Sequence, residues 1–447
     1  MTKLQAGSSP VANGADADEI ELRDFVCTAC GCTCDDLRLT VRGSRVTAVQ
    51  PPCPLAESFL RRELGAIESP CLIDGKPADV DAALARAAEI LQAASAPLVM
   101  GFERATVETQ RHAVELADRL GGFLDPTDER GVSRNHAAIQ TVGAVTATLG
   151  EVAARSDLVV YWNVDPATTH PRHLERFARR PYSAPAAPTK LRRVITVAAA
   201  RSKTSTASDE YLELESCGEA AALAVLRTLL RGGDLDLAQV AAQTGAPLEQ
   251  WAYLAQRLKT AQYVALFYEP APGEPGRLGP DVLSQGITDL VRELHRHTRA
   301  AALRLGAPWN AVGAAQVLTW QTGFPSAVSF APGYPTYLPR EASAQALLER
   351  GEVDAALIIG ADPAAHLSAV ARAHLATIPH VVLDDHLNAT ASSAAVVLFT
   401  AKFGLETAGN VFRSDAVALP LKPAVTPTLP DAAALLAKLL ERIDRST

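Results

Sequence analysis

Short, wholly apolar runs alternate with stretches of helical periodicity along this chain, and that alternation restricts the fold more than any other feature. Residues 79 to 96 place Val80, Ala83, Leu84, Ala87, Ile90 and Leu91 at helical spacing, and a buried strand follows at Pro97 to Met100. The next helix is expected from Val107 to Leu120. A further helix, the apolar strand Leu158 to Trp162 and another strand at Arg193 to Val197 come after it. The second half restarts the pattern with a strand at Tyr263 to Phe267, a helix over 280 to 302, strands at Ala355 to Ile359 and His380 to Leu383, and a last helix from Asp431 to Ile443. Strands that lack polar alternation are covered on both faces, so the fold class is α/β with mostly parallel sheets flanked by helices. At 447 residues the chain exceeds one ordinary core, and several lobes are expected.

The first part reads differently. Leu37 to Val41 and Val46 to Val49 flank the turn Arg42-Gly43-Ser44, which predicts a small N-terminal β module carrying cysteines. The expected organisation is a disordered tail over 1–20, a Cys-rich β module over 21–75, an α/β lobe over 76–260, a second over 261–400, and a C-terminal segment and helix over 401–447. The stretch Glu269 to Gly279, with three prolines and three glycines, reads as a loop.

Composition narrows the function classes. Hydrophobic residues make up 48% and charged residues 21%, the balance of a soluble globular protein. No apolar run approaches the ~18 residues of a membrane span. Met1 to Ala17 has no apolar core of a signal peptide, so a cytoplasmic location is expected. The net charge of -8, without a basic block, argues against nucleic acid as a partner.

Four of the seven cysteines (Cys27, Cys30, Cys32, Cys34) fall between positions 27 and 34, with Cys53, Cys71 and Cys217 beyond. A disulfide framework would spread them. The spacing Cys27-x2-Cys30-x3-Cys34, followed by Cys53, suits an iron–sulfur cluster or a tetrahedral zinc, each of which takes four soft sulfur ligands. The alternative is a set of free thiols in a tight module. Cys32 is a fifth sulfur, too close in sequence to be needed, and Gly31 lets the backbone wrap tightly.

Three further features stand out. Thr169-His170-Pro171-Arg172-His173 follows a strand and could bind an anion or a metal, or could serve capping and subunit contacts. The stretches 157–166 and 354–363 echo one another: an acidic start, a buried strand, then Asp165-Pro166 or Asp362-Pro363. Asp-Pro ends strands well on its own account, but equivalent strand ends also line the crevice that takes nucleotide-like ligands in open α/β sheets. Phe403 to Asn410 sets two glycines around Glu406, as in a tight excursion toward a ligand or a neighbouring chain. There is no phosphate-binding P-loop, dinucleotide fingerprint, nucleophile elbow or zincin helix.

In this order, Cys27 to Asp36, Gln110 to Leu120, Gln140 to Gly143, Tyr161 to His173, Asn310 to Gly313, Trp320 to Pro325, Gly351 to Asp354 and Gly404 to Asp415 resemble the B subunit of formylmethanofuran dehydrogenase, itself similar to the molybdopterin oxidoreductases. The resemblance implies several α/β lobes around a pterin cofactor that holds tungsten or molybdenum. It matches Cys27, Cys30, Cys34 and Cys53 to the ligands of a [4Fe-4S] cluster. It places Asp165, Asp362, His170, Arg172 and His173 near the dinucleotide-facing crevice, here vestigial.

One departure decides the functional expectation. The family supplies a cysteine or selenocysteine to the metal shortly before the Gln140-Thr-Val-Gly143 stretch. The matching region is Thr127 to Ser133, and the matching position is Gly131, which has no side chain. No cysteine lies between Cys71 and Cys217; Asp128, Glu129 and Ser133 could offer only oxygen. The implied reading has no catalytic residue and no tungsten or molybdenum pterin. It makes the chain a scaffold subunit of a formyltransferase/hydrolase complex, with amidohydrolase-like, formyltransferase-like and third subunits and a methanofuran-like carrier as partners. The competing readings are an active tungsten or molybdenum oxidoreductase subunit and a free-standing zinc-binding α/β protein.

Overall fold

The structure is a computed structural model that describes residues 19–62, 67, 69–126, 138–179, 192–215, 217–269, 280–306 and 308–446. Residues 1–18, the stretch around Gly131 and positions 270–279 of the expected loop lie outside the described residues.

The cysteines belong to an antiparallel module of three strands, β1 (Glu19–Phe25), β2 (Leu37–Arg42) and β3 (Arg45–Gln50), in the order β1-β2-β3. β1 already begins at Glu19, inside the span expected to be tail, because Glu19 to Leu22 pair with Arg42 to Leu39. Leu37, Leu39 and Val41 point inward and Arg38 and Arg42 outward, the period-two pattern of a half-covered sheet.

β4 (Cys71–Ile73), β5 (Lys76–Pro77), β6 (Pro97–Gly101) and β7 (Phe123–Asp125) open a nine-stranded sheet. The chain then leaves it. β8 (Leu158–Trp162), β9 (Arg193–Ala198), β10 (Glu210–Glu213), β11 (Tyr263–Tyr268) and β12 (Arg299–Arg304) form a second sheet, all parallel, in the order β10-β9-β8-β11-β12. β13 (Val328–Ser329), β14 (Thr336–Tyr337), β15 (Ala355–Ile359), β16 (His380–Asp384) and β17 (Val396–Phe399) return to the first, whose order is β14-β13-β7-β6-β15-β16-β17-β4-β5. Its central five strands are parallel and its edges antiparallel. A hairpin of β18 (Gly409–Phe412) and β19 (Ala418–Leu421) follows.

Two expectations are corrected. The cut between 260 and 261 falls inside one sheet, because β11 pairs with β8 from Val264↔Leu158 to Tyr268↔Trp162. The lobes are therefore interleaved in sequence. The helix expected over 280–302 stops at Leu294, and Arg299–Arg304 pairs with β11 instead. An alanine-rich run with good helix propensity becomes a strand because an apolar edge is there to be covered, which outweighs local preference.

The central strands of the five- and nine-stranded sheets are apolar on both faces. On the five-stranded sheet, Leu158, Val160 and Trp162 face the helices Glu219–Leu230, Leu248–Thr260 and Pro280–Leu294. Val159 and Tyr161 share the opposite core with Leu37, Leu39 and Cys27 of the N-terminal module. That contact fixes where the cysteines stand.

Candidate metal centre

The cysteine loop connects β1 to β2 and is closed by its own backbone. Cys27 N donates to Cys34 O at 2.8 Å, and Thr33 N donates to Cys30 O at 3.1 Å. Thr33 adopts a left-handed φ of 37° to complete the turn. Gly31 is required by space: a Cβ there would lie 2.5 Å from the Leu305 carbonyl oxygen. Cys53 arrives separately, as the residue before the helix Pro54–Leu60. Cys27, Cys30, Cys34 and Cys53 line one cavity, with Leu37, Leu55 and Arg172.

The donor set fits a metal group. Tetrahedral zinc with Zn–S bonds of about 2.3 Å would hold its sulfurs roughly 3.8 Å apart. Four thiols around one cavity are the soft-sulfur donor set that either a tetrahedral zinc or an iron–sulfur cluster takes. Burial pushes the thiols of Cys27 and Cys53 up and that of Cys34 up to about 11. Cys30 moves the other way, through a hydrogen bond with Cys32 and the nearby Arg176 and Arg172 guanidiniums. Those two cations suit a cavity that would hold several thiolates.

Both arginines come from the sequence stretch singled out above. After β8 the chain makes one helical turn, Pro166–Thr169, and then a π-helical turn, Leu174–Ala178. Arg172, only 6% exposed, donates both terminal nitrogens to the Asp36 carboxylate at 2.7 Å each and its Nε to Glu175 at 2.7 Å. Arg176 donates to Asp35 at 2.7 Å. Burial works against the charge on Asp36, but the arginines hold its carboxyl below the usual range. The two guanidiniums are thus tied to residues just beyond Cys34, which fastens the loop as well as charging its surroundings.

His170 and His173 stand behind the loop. His170 accepts or donates at Nδ1 with the Thr169 hydroxyl at 2.9 Å, and its Nε2 would lie 3.1 Å from a Cβ at Gly31. His173 Nδ1 is 2.9 Å from the Tyr161 hydroxyl; burial, with His170 close by, lowers its pKa to about 3, so the ring is neutral. Its Nε2 has no hydrogen-bond partner among the described residues.

Asp165 and Asp362 are not part of this centre. They end β8 and β15, in different sheets, and their carboxylates turn into their own loops. The two loops are near copies. Asn163 and Gly360 are both left-handed, with φ of 52° and 58°, and donate to Val197 O and Leu383 O at 2.7 and 2.8 Å. Asp165 accepts from the backbone N and hydroxyl of Thr204 at 2.8 and 2.6 Å. Asp362 accepts from the same atoms of Thr390 at 3.0 and 2.6 Å. Each threonine hydroxyl in turn accepts from the residue after the proline, Ala167 N at 2.9 Å or Ala364 N at 3.1 Å. The excursion at Phe403 to Asn410 presses on the cysteine module: a Cβ at Gly404 would lie 2.7 Å from Thr28 Oγ1.

Sequence reasoning missed the cluster at the end of β16. Asp384, Asp385 and His386 bring their ligating atoms within 4.8 Å of one another. Arg104 is bonded to both carboxylates, Arg62 reaches Asp385 at 3.0 Å, and Asn388 donates to Asp384 at 2.8 Å. Two guanidiniums already balance the two acids, so this is an ion-pair network rather than a cation site. Burial opposes the charge on Asp385, yet His386, Arg104 and Arg62 hold it well below the usual carboxylate range, while burial pushes Asp384 up. The adjacent Asp-Asp-His in sequence is the only signal, and it looks like an ordinary strand end.

No family model matches the chain. It is 31% identical over 423 residues to the B subunit of the tungsten-containing formylmethanofuran dehydrogenase 2 of Methanocaldococcus jannaschii, covering 92% of this chain and 96% of that protein. It is 31% identical over 296 residues to the B subunit of the formyltransferase/hydrolase complex Fhc of Methylorubrum extorquens, covering 65% of this chain and 75% of that protein. Among solved structures, a chain of the formyltransferase/hydrolase complex from Methylorubrum extorquens, crystallised with methylofuran, superposes with a TM-score of 0.70 at 25% identity, covering 84% of this chain and 99% of that one. Acetylene hydratase from Pelobacter acetylenicus superposes with a TM-score of 0.66 over 95% of this chain and 69% of its own; at 13% identity it shares the fold alone. The resemblance read from the motifs and the α/β class read from the alternation are both borne out.

Proposed function

Because this chain belongs to the family of formylmethanofuran dehydrogenase B subunits, we propose that it is the non-redox, scaffold-forming subunit of a formyltransferase/hydrolase complex. The observation that carries this reading is the absence of any cysteine between Cys71 and Cys217. A soft thiolate is what the family uses to tune its tungsten or molybdenum, and Gly131 at the matching position offers no side chain in its place. The similarity to the Fhc B subunit and to a chain of the methylofuran-bound complex supports the placement. In this reading the complex moves a formyl group from formyl-tetrahydromethanopterin to a methanofuran-like carrier and releases formate. Amidohydrolase-like and formyltransferase-like partners perform both reactions, in the cytoplasm. Among the described residues, no helix is long and apolar enough to cross a membrane.

Cys27, Cys30, Cys34 and Cys53 are the residues that would hold a [4Fe-4S] cluster. Such a group supplies one-electron chemistry when bound. In a chain without a second redox centre, its remaining use is to staple the β module, while Arg172 and Arg176 balance the sulfur charge. A second reading, an active tungsten-dependent dehydrogenase subunit, is favoured by this retained cysteine set and by the longer match to the tungsten enzymes. Removing the chain from the assembled complex tests the scaffold. Both formyl transfer and formate release should collapse; full activity in an intact assembly without it would contradict the proposal.

A further inference from the structure

Charge is spread unevenly along the chain. Leu305 to Pro339 contains no Asp, Glu, Lys, Arg or His, in a sequence that is 21% charged. Burial accounts for only part of this stretch. The helix Ala311–Thr322 packs Ala314, Val317 and Leu318 into the core of the nine-stranded sheet, yet Thr319, Trp320 and Gln321 are exposed. A solvated helix face ordinarily carries charge; this one carries Trp320, 55% exposed. The β13–β14 hairpin that follows exposes Tyr334 by 62%, and Leu338 just beyond it by 40%.

These side chains belong to one face. Trp320 meets the Phe412 ring edge-on at 5.6 Å, and Phe324, one helical turn further on, stacks on Tyr337 of β14 at 5.3 Å. Phe324 and Phe412 rest on the same core. Leu338 is tied back by its N–H to Ala327 O at 3.1 Å. The loop that presents Tyr334 is stiff: Gly333 N donates to Phe330 O at 2.9 Å, Gly333 is left-handed with φ of 84°, and Pro332 and Pro335 flank it. A rigid aromatic loses little freedom on being covered. β14 is an edge strand, but Pro335 and Pro339 bracket it, so contact there is made by side chains rather than by an added strand.

We propose that this face receives an unlike subunit of the complex, through an uncharged surface of that subunit, with Trp320 and Tyr334 as the anchors. Depletion of charge and enrichment in Trp and Tyr mark the core of a protein interface. Other occupants fit less well. Residues 1–18 lead into β1, whose module packs on the five-stranded sheet. Residues 127–137 follow β7 but carry Asp128, Glu129, Arg130 and Arg134, charges that this face has nothing to pair with. An anionic membrane surface does not attract a chain of net charge -8 through a stretch without Lys or Arg. A second copy would have to set each anchor against its own image about a twofold axis. The relatives and the superposed chain are subunits of larger enzymes, so unlike neighbours are at hand. The proposal rests on the reading of this chain as a subunit, which the scaffold and dehydrogenase readings share.

Hydroxyl-radical footprinting of the assembled complex tests this without a variant. Trp162, Trp251 and Tyr161 are 0% exposed and set the labelling rate of a covered ring. Trp320 and Tyr334 should label as slowly as these three. Trp320→Ala and Tyr334→Ala, at exposed positions, should leave the melting temperature unchanged and each weaken retention of the partner subunits about 30-fold, as loss of an interface anchor does. Fast labelling of Trp320 and Tyr334 in an intact complex would overturn this proposal alone. Purification of the chain without any unlike subunit would overturn the subunit reading and this proposal with it. A homodimer of the chain that Trp320→Ala splits would overturn it in favour of a second copy, and binding to phosphatidylglycerol vesicles that Trp320→Ala abolishes would overturn it in favour of a membrane.

Discussion

Asp384, Asp385 and His386 show how far single residues can be read without the fold. Asp385 meets Arg62 and Arg104 across 323 and 281 residues of sequence, separations at which no local pattern carries information. The crowding of Cys27, Cys30, Cys32 and Cys34 was legible because it is local in sequence, as was Gly31 between two of them. The network makes a prediction about pH. Hydrogen bonds to Asp384 and Asp385 raise His386 from 6.5 to about 9. A histidine raised on folding contributes stability that is whole below the lower value and is lost as pH climbs through the upper one. The denaturant midpoint of the native chain should therefore fall relative to that of His386→Gln between about pH 6.5 and 9. A difference that stays constant across that window would show that His386 is not charged in the folded state.

At the scale of elements, the paired Asp-Pro stretches were visible in sequence but their partners were not. Thr204 follows Asp165 by 39 residues, whereas Thr390 follows Asp362 by 28, so the repeat breaks its own period. Only the parallel pairing of β8 with β9, and of β15 with β16, sets each threonine loop beside its aspartate. The same blindness to pairing produced the overlong helix at 280–302, where Ala300 to Ala302 looked helical until β11 was there to receive them. Hydrogen bonds to charged groups contribute about 1.5–3 kcal/mol. Thr204→Val and Thr390→Val, which each remove a hydroxyl bound to a carboxylate, should destabilise the chain by about that much and by similar amounts. Chemical denaturation of both variants checks this; one neutral substitution beside one costly one would refute the equivalence of the loops.

For the whole molecule, the alternation of apolar runs and helices identified the class, and the motifs identified the family. The lobe boundaries were hidden because the chain leaves the nine-stranded sheet after β7 and rejoins it at β13, and no composition shift marks either crossing. A fragment of residues 76–260 would hold β8, β9 and β10 without the β11 edge that covers β8, and β6 without β15. It should be unfolded by circular dichroism and rapidly cleaved by protease; a cooperative melt would contradict the interleaved architecture. Above all, this chain is proposed to keep the scaffold of a tungsten enzyme without its metal chemistry. The tungsten and molybdenum content of the assembled complex, produced with both oxyanions supplied, reads that out without intermediate steps. Background levels of each are expected, and close to one tungsten or molybdenum per chain would contradict the proposal.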